Sequence, residues 1–216
     1  MQERAVNVLR LVFGLLAAVA LGIQGYHVST QGASMSNFFS YFTILSNMAG
    51  VVVLLTGGVL GLLGRPGVPD GVRGAVVLYM TITGLVYAVL LSGYHLPLEI
   101  IWVNTVVHKI MPLVYLVDWL AAPPRRRIAY RTALTWLAFP FLYLAYSLIR
   151  GPIVHWYAYP FLDPARSGGY GRIAGACTLM TVAFVLVAAA LVRAGNALRR
   201  RQERAAPAAR AEVSQP

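Results

Sequence analysis

Six apolar stretches dominate the pattern along the chain: Val6 to Tyr26, Phe38 to Gly64, Gly74 to Ser92, Ile100 to Leu120, Tyr130 to Ile149 and Gly171 to Arg193. Each is near or above the roughly 20 residues a helix needs to cross a bilayer. None shows the alternation of a barrel strand, and lipid offers an open backbone no partner, so the pattern predicts helices. The expected fold is all-α: a polytopic membrane bundle of six transmembrane helices, with residues 1–198 as the transmembrane domain. Residues 199–216 consist largely of Ala, Arg, Glu and Pro without an apolar period, and are expected to form a disordered basic cytoplasmic tail. The first stretch also carries marks of a signal peptide, since Arg4 and Arg10 precede an apolar run ending near Ala18-Val19-Ala20. Its length and the spans that follow favour an uncleaved helix.

Two stretches break the apolar pattern in a way that matters. The second opens Phe38-Phe39-Ser40-Tyr41-Phe42-Thr43-Ile44-Leu45-Ser46-Asn47, and the fourth contains Asn104, Thr105, His108, Lys109, Pro112, Tyr115, Asp118 and Trp119. At about 1.5 Å per residue, Thr43 lies about 8 Å and His108 about 12 Å below the outer ends of their helices. Asn47 is one turn beyond Thr43 and Asn104 one turn before His108, so each shares its neighbour's face. A Thr, a His and two carboxamides can therefore converge at one depth. Polar groups at such depth mark function or interhelical bonding. A membrane Thr commonly bonds its own i−4 carbonyl, and Asn or His also hold helices together for about 1 kcal/mol, so a structural role stands beside a catalytic one. Asp118 is expected to pair with Arg125, Arg126 and Arg127 at the cytoplasmic interface. Pro112 and Pro140 are expected to kink the fourth and fifth helices.

Charge supplies an orientation. Of the 17 Arg, 14 fall on the side that holds both termini; only Arg150, Arg166 and Arg172 fall on the other. The bias places the N- and C-termini in the cytoplasm, with the chain as a multi-pass protein of the cell membrane. The net charge of +11 sits in a chain that is 58% hydrophobic and 12% charged. That composition excludes a soluble enzyme or a separate nucleic-acid-binding module, and points the basic surplus at topology and anionic membrane lipid. The single cysteine, Cys177, forms no internal disulfide. No glycine-rich phosphate loop, CxxC pair or HExxH is present, and His27, His95 and His155 fall at loop edges. Neither a metal site nor a cofactor is expected. The loop from Arg150 to Tyr170 is the longest outward one and rich in aromatics, which suits the membrane interface.

The run Trp102-x-Asn104-x-x-x-His108-x-x-x-Pro112, a short basic loop, a fifth helix, and then Trp156-x-x-Tyr159-Pro160-Phe161-Leu162 resembles the androgen-induced family of multi-pass membrane proteins. Tyr41-Phe42-Thr43 stands where that family has an aromatic stretch ending in its reactive threonine. The resemblance covers about Phe38 to Leu162. The Ser46-Asn47 pair, Lys109 and Asp118-Trp119 look more like a bacterial branch of six-helix integral membrane proteins. The resemblance implies a threonine hydrolase of fatty acid esters of hydroxy fatty acids, with Thr43 and His108 as the catalytic pair. An unassisted Thr hydroxyl is a poor nucleophile, so a neutral imidazole must take its proton as it attacks an acyl carbonyl. Asn47 and Asn104 are expected to serve as oxyanion donors or as polar support, and Lys109 and Trp156 are the expected contacts to the head group of a lipid-like ester substrate. A non-catalytic protein that binds or transports a lipid or small solute is the alternative.

Overall fold

The computed structural model describes residues 2–94 and 98–213, with side chains for residues 3–94 and 98–205. His95 and the last residues of the expected tail, 214–216, lie outside them. All regular structure among the described residues is helical: α1 (Gln2–Thr30), α2 (Met35–Phe38), α3 (Phe42–Leu62), α4 (Asp70–Val86), α5 (Ile101–Thr105), α6 (Met111–Ala121), α7 (Tyr130–Trp136), α8 (Ala138–Val154), α9 (Pro164–Ser167) and α10 (Tyr170–Val213). A π turn, Tyr87–Leu91, extends α4, and a second, Val106–Ile110, joins α5 to α6.

The chain is an all-α bundle, and among the described residues five helices are long and apolar enough to cross a membrane: Glu3–Thr30, Phe42–Leu62, Asp70–Leu91, Tyr130–Val154 and Tyr170–Ala205. The fourth apolar run is not among them, because it forms no uninterrupted α-helix of span length. It is a rod of α5, π turn and α6 that carries Lys109 and Asp118. Pro112 accounts for the interruption. It has no N–H for the carbonyl of His108, and its ring would crowd that carbonyl, so the preceding turn widens. Gly84 of α4 accommodates the result, since a Cβ there would lie 2.8 Å from the Pro112 ring and 3.5 Å from the His108 carbonyl. Pro140 acts similarly one helix later, where α7 and α8 meet at Leu137, whose N–H turns back to Leu134 at 3.1 Å. The last helix runs on past position 198, and Arg199 pairs with Glu203 one turn along.

α1 and α3 pack antiparallel along their length. A Cβ at Gly58 would meet Leu11 Cγ at 2.8 Å and the Asn7 carbonyl at 2.9 Å, so the missing side chain is what lets the two backbones approach. α4 and the α5–α6 rod complete the centre, and buried Leu54, Leu78, Met80, Met111, Tyr115 and Trp119 fill it.

The expected pairing of Asp118 is corrected. Its carboxylate binds Arg10 of α1 at 2.6 Å and Arg73 of α4 at 3.0 Å, while Arg73 also reaches Asp70 at 3.5 Å and lies 5.6 Å over the Trp119 ring. The reason lies in the loop. After α6 the chain passes Pro123 and Pro124 and turns to Asp70, whose Oδ2 accepts the backbone N–H groups of Arg125 (2.7 Å) and Arg126 (3.3 Å). The cluster that welds α1, α4 and α6 at the end holding the N-terminus thus takes its cations from two other helices.

Candidate functional site

At the opposite end of the bundle, Thr43 is the second residue of α3 and is 6% exposed. The amides of Phe42, Thr43 and Ile44 precede the first intrahelical acceptor, so they are free to serve something else. The segment ahead of them is pinned from α8: Tyr143 donates to the Ser40 carbonyl at 2.9 Å, and Tyr146 shares a 2.7 Å hydrogen bond with the Ser40 hydroxyl. Arg150 donates to Asn37 Oδ1 at 2.6 Å and to Ser36 Oγ at 3.1 Å.

Thr43 Oγ1 lies 3.0 Å from His108 Nε2. His108 sits in the π turn, and its Nδ1 is 3.2 Å from the Asn104 carbonyl. A carbonyl only accepts, so Nδ1 carries the proton and Nε2 presents its lone pair to the Thr43 hydroxyl, which donates. The imidazole also stacks on Tyr87, with ring centroids 4.4 Å apart. A backbone carbonyl therefore fixes the ring in the tautomer a general base needs, the task a carboxylate has in a triad.

Of the two expected roles, the carboxamide contacts match polar support and leave no free donor for an oxyanion. Asn47 is fully buried and lines neither cavity at the site; its Nδ2 donates to the carbonyls of Thr43 (2.9 Å) and Val107 (3.2 Å). Since both partners are carbonyls, the amide has to present its nitrogen, and that nitrogen is not available to an oxyanion. Asn47 instead ties the Thr43 backbone to the residue before His108. Asn104 Nδ2 is shared between Tyr87 Oη (3.1 Å) and Glu99 Oε1 (3.2 Å), so its contribution to His108 comes through its backbone carbonyl.

A further donor, not evident from the sequence pattern, is Tyr159 of the Trp156-x-x-Tyr159-Pro160 segment. The loop after α8 folds inward, and Tyr159 is 7% exposed, with its hydroxyl 3.3 Å from the Thr43 amide nitrogen and 3.4 Å from Thr43 Oγ1. The Thr43 amide donates to the phenol oxygen, so the phenol proton is left to point at Thr43 Oγ1 or at a bound oxygen. Burial pushes the Tyr159 hydroxyl above its ordinary value, which keeps it a donor.

A cavity of about 520 Å³ opens beside the pair, lined by Thr43, His108, Asn104, Glu99, Trp156 and Asp163 among others. Trp156 meets Tyr41 edge-on at 5.5 Å and carries Arg150 over its ring at 5.2 Å, so it forms part of the wall. Lys109 does not line that wall. It is exposed, with Nζ 5.8 Å from the centre of the Tyr87 ring. Asp163 is engaged with Arg166 at 3.5 Å, and Arg166 with the Tyr94 hydroxyl at 2.7 Å. The arrangement offers a hydroxyl nucleophile, an oriented base, a phenol donor at the positive end of a helix, and room for a ligand. Comparison with known proteins found no matching family model, no matching curated protein and no matching solved structure, so the geometry of Thr43, His108 and Tyr159 carries the functional argument.

Proposed function

We infer that this chain is an intramembrane hydrolase of lipid-like acyl esters, with Thr43 as nucleophile and His108 as general base. The observation that carries the reading is the 3.0 Å contact between Thr43 Oγ1 and a His108 Nε2 whose ring is held by the Asn104 carbonyl. The resemblance to the androgen-induced family implies the same two residues. The rod from Ile101 to Ala121 is read as a sixth span, and the distribution of 14 of the 17 Arg supports a multi-pass protein of the cell membrane with both termini cytoplasmic.

In the reaction, His108 Nε2 takes the Thr43 proton as Oγ1 bonds the acyl carbon. The carbonyl oxygen becomes an oxyanion that Tyr159 Oη meets as a donor, at the N-terminal end of α3 where the helix dipole is positive. As the tetrahedral intermediate collapses, the imidazolium returns its proton to the departing alkoxide and an acyl-threonine remains. Water from the polar cavity then loses a proton to His108 and attacks the acyl carbon; collapse releases the acid and returns the proton to Thr43. Asn104 holds Nδ1–H throughout, which stabilises the imidazolium formed in each half.

Purified protein is expected to hydrolyse a medium- or long-chain acyl ester, with Thr43→Ala and His108→Ala each at background and Thr43→Ser retaining part of the rate. The double variant is expected to lose little more than either single one. A serine/threonine hydrolase probe should label Thr43, read by peptide mass spectrometry. Full activity in a folded Thr43→Ala variant, or no turnover of any acyl ester by the wild type, would replace the enzyme reading with lipid or solute binding.

A further inference from the structure

Thr43 is the wall between two spaces of opposite character. On one side is the polar cavity. On the other is an apolar pocket of about 80 Å³, lined by Ile82 and Val86 of α4, Phe141 and Leu144 of α8, and Met180 and Phe184 of α10. Phe141 is 47% exposed, so the pocket reaches the flank of the bundle, where a membrane would lie against it. Thr83 lines it as well, 3% exposed, with an Oγ1 that has no hydrogen-bond partner among the described residues. Other helix threonines return to the carbonyl four residues back, as Thr81 does to Val77 and Thr181 to Cys177.

We propose that this pocket seats the acyl chain of the substrate next to its carbonyl, the chain reaching Thr43 from the bilayer through the gap between α4, α8 and α10. The alcohol half and the hydrolytic water occupy the polar cavity. The inference rests on the hydrolase reading and adds to it where each half of the ester lies. A chain of methylenes matches a wall of Ile, Val, Leu, Phe and Met carbon, whereas in the polar cavity it would lie against Glu99, Asn104 and Asp163 without bonding any of them. Because Thr43 lines both spaces, an ester with one half in each has its carbonyl at Oγ1.

The test uses Cys177, the single cysteine of the chain, which is half-buried and lines the pocket. Wild-type protein is treated with hexyl methanethiosulfonate, adduct formation is followed by mass spectrometry, and kcat/KM is measured for a decanoyl and an acetyl ester of the same alcohol. The adduct is expected to lower the decanoyl value by roughly tenfold or more and the acetyl value far less. A reductant should restore both, and the reagent should leave the decanoyl-to-acetyl ratio of Cys177→Ala unchanged. Leu144→Trp should give the same contrast without labelling. In parallel, a diazirine-bearing fatty acid is photolysed on wild-type protein, and crosslinks are expected within residues 137–144 and 177–184. A fully labelled protein with an unchanged ratio, together with crosslinks confined to residues 155–166, would overturn the pocket while leaving the hydrolase standing. Pocket crosslinks with no ester turned over would do the reverse, leaving a chain-binding site without the enzyme.

Discussion

Replacing Asp118 by Asn separates a welded ion cluster from an ordinary surface pair. The carboxamide keeps the shape and can accept from Arg10 through Oδ1, but its Nδ2–H₂ then faces the Arg73 guanidinium, donor against donor. Arg10, Arg73 and Asp70 are left with a net charge of +1 among side chains only 11–16% exposed. An exposed pair is worth about 1 kcal/mol or less, whereas stripping one partner from a buried pair costs about 3–5 kcal/mol. Partial exposure sets the expected loss at the low end, about 3 kcal/mol. For a chain of this size, at about 2–4 °C per kcal/mol, Tm in mild detergent should fall by about 6–12 °C. Tryptophan fluorescence is a suitable readout, because Trp119 is buried beneath Arg73 and donates to the Leu191 carbonyl at 3.0 Å. Adding Arg73→Gln to Asp118→Asn removes the surplus cation, so the double variant should lose less than the two singles combined, by about 1 kcal/mol or more. A fall of 2 °C or less in Asp118→Asn, with strict additivity in the double variant, would refute the cluster as a structural weld.

Tyr159→Phe is expected to lower kcat by roughly 100- to 1,000-fold, the usual cost of one oxyanion donor. Since burial raises the Tyr159 hydroxyl above 10.0, the wild-type rate should not fall near pH 10 through ionisation of that phenol. Its contribution to stability should be complete below that pH and be lost as pH rises toward the higher folded value. An alkaline fall near pH 10 that vanishes in Tyr159→Phe would contradict the assignment. Asn47→Ala strips the Thr43 and Val107 carbonyls of a shared donor and should cost about 1–3 kcal/mol in thermal unfolding. If Asn47 positions the pair it should also lower kcat with little change in KM; lost stability with unchanged kcat would leave it purely structural. In a Cys177→Ala background, cysteines at Ser29 and Ser167 should react with an impermeant external maleimide and one at Arg126 should not; the opposite pattern would invert the orientation.

The helical class and the apolar runs were legible in the sequence because bilayer thickness and backbone satisfaction leave few options for runs of that length and composition. The Thr43 and His108 pairing was legible as well, since their depth follows from rise per residue and their polarity is out of place. The partners of each polar group were not. Asn47 and Asn104 have the right type and spacing to stabilise an oxyanion, yet helix periodicity gives only a face, and rotation of α3 against the π turn aims Asn47 at two backbone carbonyls instead of the cavity. Asp118 was assigned to the nearest cations in sequence, whereas the cations that reach it stand 108 and 45 residues away. Tyr159 depends on a loop folding back over the head of α3, a closure between segments 116 residues apart that no local pattern encodes. Local physics thus determines which segments are helical and how deep each side chain lies, while the rotation of packed helices and the return of loops decide which buried polar atoms meet, because each must find a partner within about 3 Å and only tertiary packing supplies it.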